Sequence, residues 1–125
     1  MPDVLVPGLP GQQRSIDMKS AFSALRAAKL ALYESSEKAI SAKGSLDKKK
    51  SDLLASGTIQ GKNAETRDAQ LAQVCWQEMA ALEAAEAEKR KAAYEADQAA
   101  LAVSEIQWLI RNDEATAALV RERII

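Results

Sequence analysis

The sequence predicts an all-α protein: a long antiparallel helical hairpin of coiled-coil character, with an extended N-terminal arm and a tendency to oligomerise. Three observations lead there. About one residue in five is alanine, and with Glu, Lys, Leu and Arg it gives the composition of long helices. Aromatic residues make up only 4% of the 125, a poor basis for a compact sheet protein. The 5 glycines and 3 prolines gather at a few places and leave long stretches unbroken. Alanine-rich faces bury little area per residue, so self-association has to supply part of the stability.

Residues 1–15 contain Pro2, Pro7 and Pro10 with Gly8 and Gly11. Proline fixes its backbone and lacks an amide donor, so this segment is expected to be an extended arm. Val4, Leu5, Val6 and Leu9 make it apolar, either a free tail or a strap for a helix groove.

A helical hairpin is expected over residues 16–125. Its first limb, 16–56, can be capped by Ser15 or Asp17. Met18, Phe22, Leu25, Leu32 and Ile40 mark one face, with Ala21, Ala28 and Ala39 beside them. Lys43-Gly44 reads as a helix stop and Ser45 as a new cap, giving a helix pair or one bent helix.

The bend, 57–63, is Gly57-Thr58-Ile59-Gln60-Gly61-Lys62-Asn63, which has the outline of a phosphate-binding loop. The spacer is one residue too short, and Asn63 occupies the place of the magnesium-binding hydroxyl. A buried strand should precede such a loop, whereas a lysine-rich helical stretch does. The segment reads instead as helix stop, turn and helix start, with Asn63 as N-cap and Glu65 and Asp68 complementing the helix dipole.

A long second limb follows, 64–122, without Gly or Pro. Leu71, Val74, Cys75, Met79 and Leu82 form an apolar stripe, alanines fill the middle, and Leu101, Val103, Ile106, Leu109 and Ile110 thicken it again. Arg111-Asn112-Asp113 is a candidate break. Unbroken, this limb spans roughly 85–90 Å against roughly 60 Å for the first. About a quarter of it should therefore overhang, and Ile106, Trp108, Leu109, Ile110, Leu119 and Val120 become candidate interface residues.

Signs of catalysis are few. The chain has no histidine, the commonest general base and metal ligand. Cys75 sits on an apolar stripe beside Trp76 and reads as a small core residue. Glu83, Glu86 and Glu88 alternate with Lys89, Arg90 and Lys91 as a solvated face. No cofactor and no metal site is indicated, and the sequence reads as that of a non-enzyme. Lys48, Lys49 and Lys50 are the candidate contacts to a phosphate backbone, but no aromatic residue stands among them for base stacking. The net charge of −1 gives no general pull toward nucleic acid. The start lacks the basic and apolar regions of a secretion signal and no window is apolar enough to span a membrane, so the expected location is the cytoplasm.

Gly57-Thr58-Ile59-Gln60-Gly61-Lys62-Asn63-Ala64-Glu65-Thr66-Arg67-Asp68, followed by an Ala/Glu-rich helix, resembles small helical-hairpin proteins of bacteriophages and prophages. That resemblance implies a phage origin, a bacterial host cytoplasm, and service alongside DNA recombination or replication proteins. It carries no activity onto any residue. The function expected first is therefore that of a homo-oligomeric helical protein acting by protein–protein interaction. An accessory factor contacting DNA through the bend-end lysines is the alternative, and a small-ligand binder between protomers the third.

Overall fold

The structure is a computed structural model and describes residues 10–124. Its regular elements are three helices, α1 (Pro10–Ala55), α2 (Ala64–Val74) and α3 (Trp76–Ile124). They form two compact units. One unit joins α1 up to Lys29 with α3 from Tyr94 onward; the other spans Leu30–Ala93.

Helix α1 begins earlier than the sequence suggested, at Pro10 rather than near Ser15. Proline costs nothing in a first turn, where its missing amide would have had no partner. Residues 10–15 thus belong to the helix; 1–9, with the rest of the expected arm, lie outside the described residues. Of the two readings at Lys43-Gly44, a helix pair or a single bent helix, the structure has a single helix, since α1 continues to Ala55. An interior glycine costs only about 1 kcal/mol. Here the burial pattern runs straight past it, from Ala39 through Ala42 to Leu46.

Burial in α1 follows alternating steps of three and four. Arg14, Met18, Ala21, Leu25 and Ala28 are buried or half-buried in the first unit. Leu32, Ser35, Ala39, Ala42, Leu46, Lys49 and Leu53 follow in the second. Phe22 and Ile40, expected on the core face, fall off this series and are 39% and 65% exposed. Each stands one residue past a buried alanine, Ala21 and Ala39, and so about 100° around the helix from the seam.

Within Leu30–Ala93, the core is a cluster of Leu46, Ile59, Leu71 and Cys75, with Leu53 and Leu82 packed against it. The bend is built to deliver Ile59 into that cluster. Gly57 takes φ +75°, the left-handed geometry that ends a helix cheaply only at glycine. Gln60 N donates to Gln70 Oε1 at 3.1 Å, and Thr66 N donates to the Asn63 side chain at 2.8 Å, which makes Asn63 the N-cap of α2. Gly61 packs on the next helix so closely that a Cβ there would sit 2.6 Å from Arg67 N.

The interruption of the second limb falls at Cys75, not at 111–113. Cys75 has φ −99° and ψ 16°, close to the bridge region. Its amide still donates to Leu71 O at 2.7 Å and its carbonyl accepts from Met79 N at 2.9 Å, so the helical bonding passes through. The Cys75 side chain is fully buried. Helix α3 continues through Arg111-Asn112-Asp113, where Thr116 Oγ1 donates back to Asn112 O at 3.0 Å.

Candidate interaction surface

In the unit that contains Tyr94–Ile124, α3 has two distinct faces. Ala96, Ala99, Val103, Ile106 and Ile110 are buried or half-buried, again in steps of three and four. Arg14 Nε, on α1, lies 3.0 Å from Asp113 Oδ2 at the end of this seam. The early start of α1 shortens the expected overhang, since α3 now has α1 beside it as far as Asp113.

The opposite face is apolar as well. Tyr94, Leu101 and Trp108 recur every seven residues and are 64%, 61% and 60% exposed. At about 100° per residue, Leu101 lies roughly 140–160° around the helix from Val103 and Ile106. Single exposed leucines are ordinary, whereas large apolar side chains repeated along one outward face form a continuous apolar line. Further along, Leu119 and Val120 are 59% and 50% exposed.

The candidate interface residues therefore divide. Ile106, Leu109 and Ile110 are half-buried within the chain, whereas Trp108, Leu119 and Val120 are exposed. Tyr94 was not singled out from the sequence, although its spacing from Leu101 and Trp108 is the signal that finds it.

Of the three lysines, Lys48 is exposed and Lys50 half-buried. Lys49 is engaged, its Nζ donating to Glu78 Oε1 at 2.8 Å and to Val74 O at 3.2 Å. That hydrogen bond, aided by the nearby positive charge, holds the Glu78 carboxyl below its ordinary pKa. The second carboxyl oxygen, Oε2, is buried without a hydrogen-bond partner. Lys49 thus serves as a brace across the Cys75 interruption and is not a free cation.

A shallow hollow in the Leu30–Ala93 unit has an apolar floor of Ala39, Ile40 and Ala93, with Lys43, Glu86, Lys89 and Arg90 around it. Lys62 is exposed in the bend. Among the described residues no helix is long and apolar enough to cross a membrane, and no three His, Cys, Asp or Glu side chains gather as metal ligands would. Compared with known proteins, the chain matches no family model, no curated protein and no solved structure.

Proposed function

We propose that this chain is a non-enzymatic, self-associating helical protein, an antiparallel coiled coil that works by holding other protein surfaces. The observation that carries the reading is the outward line of Tyr94, Leu101 and Trp108 on α3. Aromatic residues of this kind anchor protein interfaces by burying large rigid areas.

The coiled-coil part is supported by the heptad spacing of buried positions within each unit. Each unit also contributes one cross-helix ion pair, Arg14 with Asp113 in one and Lys49 with Glu78 in the other. The seam itself is thin. Ala21 and Ala28 on α1, and Ala92, Ala96 and Ala99 on α3, bury far less area than leucines would. A chain with a thin inner seam and a thick outer stripe gains much of its stability by covering that stripe. A phage origin and a bacterial cytoplasm remain part of the proposal through the resemblance of the bend.

Light scattering across a concentration series tests this reading. The mass should exceed that of one chain at tens of micromolar. A single-chain mass throughout would contradict it.

A further inference from the structure

We infer that a second copy of the chain covers the outer face of α3, with the two α3 helices antiparallel about a two-fold axis at Ser104. This rests on the self-association proposed above and names its surface and geometry.

Charge pattern selects the orientation. The apolar line Tyr94, Leu101 and Trp108 continues into Ala115 at the same spacing. Three residues after its first three members stand Asp97, Ser104 and Arg111, all exposed. Neither Asp97 nor Arg111 has an ion-pair partner among the described residues. Helices packed antiparallel on one stripe bring like flanks together. With the axis at Ser104, Asp97 of each copy meets the partner's Arg111, twice per dimer. Trp108 then packs beside the partner's Leu101, and the large Tyr94 beside the small partner's Ala115. A parallel in-register pairing would bring opposite flanks together, so Asp97 and Arg111 would face the partner's Gln98 and Asn112 and form no charge pair. The antiparallel dimer is isologous and closes on itself, leaving no free end for a filament.

One contact opposes the arrangement: Glu105, on the other flank, approaches its own copy near the axis. Glu105→Gln should therefore tighten the dimer.

Sedimentation velocity on the full chain tests the geometry by charge reversal. Asp97→Arg or Arg111→Asp alone should weaken the dimer about tenfold, since two attractive contacts become repulsive. The double variant should restore wild-type association. Both positions are exposed, so circular dichroism should show unchanged helicity. Mild oxidation of Ser104→Cys should give a disulfide-linked dimer, whereas Ser23→Cys, exposed on α1, should not; native Cys75 is fully buried and need not be removed. Association that ignores every reversal, or a double variant as weak as the single ones, would overturn this interface and leave self-association standing. A monomeric wild type would overturn both.

Discussion

Lys49 and Glu78 are joined by a 2.8 Å hydrogen-bonded ion pair, and the same ammonium reaches Val74 O at 3.2 Å. One side chain of α1 thereby ties the last turn of α2 to the first turn of α3. It does so beside the Leu46, Ile59, Leu71 and Cys75 cluster. A cation suits the carbonyl end of α2, and an anion suits the start of α3.

This pair should make stability depend on acid. The Glu78 pKa is lowered in the folded protein, chiefly by the hydrogen bond from Lys49. The unfolded chain therefore binds the proton first as pH falls. The stabilisation is complete above the ordinary glutamate value and is lost as pH drops through the lower folded one. Lys49→Met, which keeps the aliphatic stem, should lower stability near neutral pH and flatten that acid limb. Urea unfolding of both proteins at several pH values checks it; parallel curves would show that the pair is not the source.

Asn63→Ala should cost about 0.5–2 kcal/mol, because the Thr66 amide loses its capping oxygen. Asn63→Asp should cost less, since aspartate caps as well and its charge suits the helix start. Equal losses for the two in chemical denaturation would argue against the cap.

The two bend glycines should respond differently. Gly57→Ala forces a Cβ into left-handed geometry, costing about 1–2 kcal/mol, whereas Gly57→Asn should be milder. At Gly61 the obstacle is backbone, with Arg67 N at 2.6 Å from the added Cβ, so even alanine should displace the bend and loosen Ile59. Melting temperatures rank them; a Gly61→Ala protein as stable as wild type would show that the bend can shift freely.

Ile106→Glu and Leu101→Glu separate the inner seam from the outer stripe. Ile106 is half-buried within the chain, so a charge there should lower helicity and melting temperature. Leu101 is 61% exposed, and its charge should leave a folded but less associated chain. Circular dichroism with light scattering distinguishes them, and unfolding by Leu101→Glu would contradict the assignment.

Helical class was legible because composition and the absence of breakers act along the whole chain. The cap at Asn63 was legible because a side-chain oxygen before a helix has a local mechanism. At Gly44 the sequence leaves a helix pair and one bent helix both open, and one helix forms because an unbroken seam on both sides outweighs one glycine. The interruption at Cys75 leaves only a faint mark in the sequence: Val74, Cys75 and Trp76 are weaker helix formers than the residues around them, and tertiary packing with the buried bend accompanies the change. The outer stripe was half legible. Trp108, Leu119 and Val120 carried the overhang argument, but Ile106 and Ile110 belong to the seam. Apolar residues on two faces of one helix merge into a single thick stripe until burial separates them.

The most direct test of the central claim, that this stripe is covered by protein, is the solvent access of Trp108. Trp76 is exposed elsewhere and can be replaced, so a Trp76→Phe protein reports on Trp108 alone. Iodide quenching of its fluorescence should be measured at tens of micromolar and again after extreme dilution. Trp108 should be shielded in the concentrated sample and become quenchable on dilution, as the association dissolves. Equal, full quenching at every concentration would contradict the claim.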